Sequence, residues 1–148
     1  MLLFSIFQIL KFEIFQGGST GGTCAGGFGV CCYFIANCGR SYSQNLTYWT
    51  KTSTTPCTID VCKCQSDVCF LRLDFNSFNL YQPNTLVTAA NPTIAGQCDQ
   101  DVLTISSPGA IPVPRLCGVN HGYHLYVEMP GDEESCAQLS LTQAMILL

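Results

Sequence analysis

Cys69-Phe70-Leu71-Arg72-Leu73-Asp74-Phe75 is the stretch that decides the fold class. Cys69, Leu71, Leu73 and Phe75 share one side of an extended chain, and Arg72 and Asp74 share the other. That two-residue period marks a strand with one face in a core and the other in water. A slip of one residue would push the aliphatic set into water and bury both charges. Leu71, Leu73 and Phe75 are therefore expected to point inward, with Phe78 joining them from the following turn, while Arg72 and Asp74 face out. Similar short β-rich runs surround this one, at Asn45 to Thr50, Thr58 to Val61, Asp101 to Ile105, His124 to Glu128 and Gln138 to Thr142. Turn signals such as Ser106-Ser107-Pro108-Gly109 and Pro130-Gly131 separate them. Leu103 and Ile105 are expected in the same core. Pro108, Pro112 and Pro114 bar a central strand between Ser107 and Leu116, because each removes a ladder donor. No long window carries a helical stripe. The expected class is all-β, an antiparallel sandwich or barrel.

Composition sets the compartment. Eleven cysteines accompany only six lysines and arginines, and charged residues are 11% of the chain. An oxidising compartment turns so many thiols into cross-links, whereas a reducing one has little use for them. Asn45-Leu46-Thr47 is an N-glycosylation sequon, and Asn91-Pro92-Thr93 is blocked by its proline. Secretion is the expectation. A net charge of −4 with a pI near 4.8 argues against nucleic acid and against an anionic membrane surface. Nothing approaches the roughly 20 apolar residues of a membrane span. The 148 residues suit one domain plus a short extra module.

The ends and the Gly-rich region are less regular. Met1 to Leu10 is mostly apolar and reads either as a signal-peptide core without its basic start or, in the plainer alternative, as an incomplete or mispredicted N-terminus or a short hydrophobic leader that docks on the domain. Gln16 to Gly29 is rich in glycine, too permissive for regular structure, and reads as a linker or a cross-linked loop. Ala144 to Leu148 is a bare apolar end.

Four local patterns bear on chemistry. Cys62-x-Cys64-x4-Cys69 lacks the CxxC pairs of a zinc site, so a cross-linked hairpin is expected. His121 and His124 have no ligand partner at motif distance and, on a strand, face opposite ways. Gly17-Gly18-Ser19-Thr20-Gly21 matches a nucleophile elbow in letters only, with neither the strand before it nor the helix after it. Tyr48 and Trp49, beside the sequon, are a candidate binding patch, with core or sheet packing the alternative.

From Cys38 onward the order of elements resembles a CUB domain. The matching residues are Cys38-Gly39, Cys57 at the head of a strand, Leu71 to Phe78, Cys98-Asp99-Gln100-Asp101-Val102-Leu103-Thr104-Ile105, and Cys117-Gly118. Gly22-Thr23-Cys24-Ala25-Gly26-Gly27-Phe28-Gly29-Val30-Cys31-Cys32 resembles the double-cysteine, clip-like lead-in of secreted arthropod CUB proteins. The resemblance implies residues 1–23 as leader and linker, 24–37 as a cysteine-rich lead-in, and 38–148 as a disulfide-stapled β-sandwich of jelly-roll type. It implies two disulfides, Cys38 with Cys57 and Cys98 with Cys117, each worth roughly 3 kcal/mol on the chain-entropy model. Cys24, Cys31, Cys32, Cys62, Cys64, Cys69 and Cys136 remain, an odd set, and relatives carry further sequence at both ends, so a shortened chain with leftover thiols is expected. Some CUB domains bind calcium through acids. Asp101 falls on one such position, but the stretch from Gly39 to Pro56 supplies no partner acid, and a hard cation wants about six oxygens. Asp101 is thus a candidate ligand whose alternative role is to cap a turn, and no cofactor is otherwise expected.

Two histidines, ten scattered acids and no nucleophile–base pair point to a non-catalytic module that binds an extracellular protein or carbohydrate. The alternative is the regulatory front end of a secreted serine protease whose catalytic part lies beyond Leu148. A disulfide-rich inhibitor is disfavoured by the acidic, weakly charged composition.

Overall fold

A computed structural model describes residues 2–6, 18–51, 55–85, 95–132 and 134–143. The strands are β1 (Leu2–Ile6), β2 (Ser19–Cys24), β3 (Gly29–Ala36), β4 (Ser41–Tyr42) and β5 (Thr47–Trp49). They continue with β6 (Cys57–Cys62), β7 (Phe70–Phe75), β8 (Val102–Ser106), β9 (His124–Glu128) and β10 (Cys136–Thr142). One 3-10 turn at Ala25–Gly27 is the only helical element among the described residues. The protein is all-β.

Six strands form one sheet in the order β2-β3-β5-β1-β7-β9, and four form a second in the order β4-β6-β10-β8. From β3 to β10 consecutive strands alternate between the two sheets, so β2 and β3 are the one chain-adjacent pair that shares hydrogen bonds. Most pairs are antiparallel. β3 with β5 and β4 with β6 are parallel, a departure from the purely antiparallel expectation.

The inner faces share one core. Trp49, Leu71, Leu73, Phe75 and Val127 come from the six-stranded sheet, and Ile59, Val61, Leu103, Ile105, Ala137, Leu139 and Leu141 from the four-stranded one. Leu71 and Leu73 are 0% exposed, and Phe78 is buried with its ring 4.9 Å from that of Phe75. The alternation in β7 therefore points as its sequence requires, with Arg72 and Asp74 on the opposite face. Cys69 departs from it: the strand begins at Phe70, and Cys69 is exposed just before it.

Two other regions differ from expectation. The Gly-rich stretch contains a hairpin, β2 with β3, whose register shifts between Thr20 and Thr23. Gly22 there has φ +104°, so glycine serves the bulge rather than dissolving the strand. The apolar start is strand β1, lying between β5 and β7. Of the two readings of that segment, docking on the domain describes Leu2–Ile6. The remainder of the apolar start, Asn91-Pro92-Thr93 and Ala144 to Leu148 lie outside the described residues.

Burying a large aliphatic side chain contributes roughly 1.5–3 kcal/mol. Leu73→Ala is expected to cost about 2–5 kcal/mol in a denaturant titration once its cavity is counted. Arg72→Ala, on the outer face of the same strand, should lose much less. Equal losses would contradict the inward parity of β7.

Candidate functional site

Three disulfides lie among the described residues. Cys38–Cys57, with Cα atoms 5.1 Å apart, ties the chain between β3 and β4 to the start of β6, on the register of the β4–β6 pair. Cys98–Cys117 closes the Pro-rich segment between β8 and Leu116. Inside it Leu103 and Leu116 exchange two backbone hydrogen bonds of 2.8 and 2.9 Å. These are the two pairs the resemblance implied. Gly118, next to Cys117, has φ +74°, and a Cβ there would stand 3.1 Å from Oε1 of Gln82. Backbone bonds Leu80 N to Gly118 O and Gly118 N to Tyr81 O need that close approach.

The third bridge corrects the hairpin reading of Cys62, Cys64 and Cys69. Cys62 is bonded to Cys136, its register partner on β10, 74 residues away. Cys64 and Cys69 are free thiols. Cross-strand pairing, invisible in local spacing, chose the partner. Burial raises the pKa of Cys64 above the ordinary thiol value, with Asp67 adding to the shift.

Asp101 ties a distant segment of backbone rather than capping a local turn. Its Oδ2 accepts a hydrogen bond from the backbone N–H of Tyr81 at 3.1 Å, while Asp99 Oδ2 accepts one from Asn84 Nδ2 at 3.2 Å. No three His, Cys, Asp or Glu side chains come together as a metal site among the described residues. This donor set does not fit calcium, which wants several carboxylates. His121 and His124 are both exposed. Ser19 of the GxSxG match opens β2, and Gly17 lies outside the described residues. Asn45 is half-buried in the turn before β5, where its Oδ1 accepts the N–H of Leu46 at 2.9 Å and Leu46 has φ +57°.

The outer faces of the two sheets contrast sharply in chemistry. That of the four-stranded sheet is hydroxyl and amide: Thr58 Oγ1 lies 3.0 Å from Ser140 Oγ, Thr104 Oγ1 donates to Ser140 O, and Gln138 donates to Asp60. That of the six-stranded sheet is aromatic and charged. Trp49 is 2% exposed and belongs to the core, which turns Tyr48 outward beside Ile35, its register partner. Tyr33 and Ile35 are exposed on β3, and Tyr126 is 51% exposed on β9.

At the centre of this face, Arg72 Nε and Nη2 both donate to Asp74 Oδ1, at 3.0 and 2.8 Å. This bond to Asp74 raises the Arg72 pKa from its already high value, with nearby Tyr126 contributing. The guanidinium carbon stands 5.8 Å from the Tyr126 ring centre, and His124 meets Tyr126 edge-on at 5.6 Å. Cross-strand register produces the group, since Arg72 opposes Tyr126 and Asp74 opposes His124. The arrangement is a small cluster in which Tyr126 and His124, edge-on to each other, sit beside a preoriented charged fork. It can stack an apolar or sugar surface and hydrogen-bond at its centre. Sequence reasoning put Arg72 and Asp74 outward and read His124 to Glu128 as a strand, but did not bring the two together; that meeting depends on the β7–β9 register.

Comparison with known protein families, characterised proteins and solved structures finds no match to this chain.

Alkylation under non-reducing conditions at pH 8 is expected to label Cys69 before Cys64. Cys69 is exposed, and the raised pKa of Cys64 lowers its thiolate fraction at that pH. Peptide mapping should recover Cys62 joined to Cys136. Labelling of Cys64 first, or Cys62 joined to Cys64 or Cys69, would contradict this arrangement.

Proposed function

We propose that this chain is a secreted, non-catalytic CUB-like module that binds an extracellular protein or carbohydrate on the outer face of its six-stranded sheet. The observation that carries this reading is the cluster of Tyr126 and His124 beside the Arg72–Asp74 pair. Exposed Tyr and oriented Arg are the residue types that dominate recognition surfaces, because they bring large contact area at small entropy cost. Three disulfides, and no helix long and apolar enough to cross a membrane among the described residues, are consistent with an extracellular protein. The Asn45 sequon in a turn supports the same compartment. A jelly-roll order of CUB type is part of the proposal, supported by the alternation of strands between two sheets and by the Cys38–Cys57 and Cys98–Cys117 pairs.

Expression of the full chain in animal cells should deliver it to the medium with a glycan that the Asn45→Gln variant lacks. The secreted chain is then presented to a panel of glycans and extracellular proteins, beside the double variant Arg72→Ala/Tyr126→Ala. The expected result is a ligand whose affinity falls at least about ten-fold in the double variant, the scale of a recognition hot spot. Unchanged affinity would remove the cluster as the site, and retention inside the cell would remove secretion.

A further inference from the structure

We propose that the slot between β5 and β7 is a strand-acceptor site, occupied by Leu2–Ile6 and able to take the same strand from a second copy of the chain. β1 makes three register pairs with β5 (Leu2 with Trp49, Leu3 with Tyr48, Phe4 with Thr47) and five with β7 (Leu2 with Phe75 through Ile6 with Leu71). Both neighbours are antiparallel to β1 and hence parallel to each other. Without β1 their edges would stand about two strand spacings, roughly 9.6 Å, apart. Each edge would then offer a row of N–H and C=O groups with no ladder partner.

The β5 wall of the slot is held in place. Moving β5 to meet β7 would drag β3 across the sheet, because β3 pairs with β5. The chain leaving β3 is bound covalently to β6 through Cys38–Cys57. It is also bound by backbone bonds, Gly39 N to Thr58 O at 2.7 Å and Asp60 N to Arg40 O at 3.1 Å. The β5 wall is thus anchored, through β3, to the four-stranded sheet. The inward residues along the walls, Thr47, Trp49, Leu71, Leu73 and Phe75, are buried, and Tyr48, Arg72 and Asp74 between them are only partly buried. An occupant must therefore be an extended segment, antiparallel to both walls and apolar at alternate positions. Leu2-Leu3-Phe4-Ser5-Ile6 meets that requirement, and an identical segment from a second copy would match the walls in the same register. Exchange of identical elements is a low-cost route to association, since each bond lost in one copy is regained in the other.

The test uses the full chain carrying Phe4→Pro, which removes a ladder donor in the middle of β1, and a synthetic peptide of Met1 to Gln8 with a lysine tail as the probe. Amide exchange at Tyr48 and Leu73 is the readout. The variant should lose about ten-fold or more of the protection there, as an opened local unit does. The peptide should restore it at one-to-one stoichiometry, and a scrambled peptide should not. Unchanged protection in the variant, or no restoration by the peptide, would overturn the proposal. If Phe4→Pro does not fold alone, the peptide is added during oxidative refolding. Recovery of the Cys38–Cys57 and Cys62–Cys136 bridges then supports the acceptor site, and failure to recover them overturns it.

Discussion

Full burial of Leu71 and Leu73 on β7 sets the orientation of nearly everything else in the molecule. A strand has only two faces, so burying those two side chains forces Arg72 and Asp74 to the opposite surface. Register then carries the parity sideways, inward with Leu125 and Val127 on β9 and outward with His124 and Tyr126. The hydrophobic core and the candidate recognition face are two sides of the same constraint. A change that loosened the core would also disperse the cluster.

The disulfides add covalent ties to the hydrogen-bonded pairings. Cys38–Cys57 staples the chain before β4 to β6 on the register of the β4–β6 pair. Cys62–Cys136 reinforces a pair already in register, and Cys98–Cys117 closes a segment whose prolines cannot supply ladder bonds. With charged residues at only 11% of the chain, the surface depends on hydroxyl, amide and aromatic groups. The two outer faces divide these between them, hydroxyl and amide on one side, aromatic on the other.

The cluster owes its chemistry to preorganisation. Arg72 is held by two bonds to one oxygen of Asp74 and lies over Tyr126, so its planar fork loses little freedom when it engages a ligand. An exposed pair of this kind adds little to stability by itself. Its value is in positioning.

Local pattern alone was enough to establish the all-β class, the inward set Leu71, Leu73, Phe75, Phe78, Leu103 and Ile105, and the outward Arg72 and Asp74. Period-two alternation is a property of neighbouring residues, so a half-buried strand carries it openly. β1 and β3 escaped that reading because their apolar residues run without alternation, as in Leu2–Ile6, and so resemble a leader or a cross-linked loop. The Cys38–Cys57 and Cys98–Cys117 pairs were legible by likeness, each only 19 residues apart. Cys62–Cys136, 74 residues apart, was not, nor was the meeting of Arg72 with Tyr126. From β4 onward no strand pairs with its neighbour in the chain. Which strands lie side by side is therefore decided by how two sheets close over one core, and no local run of residues encodes that choice.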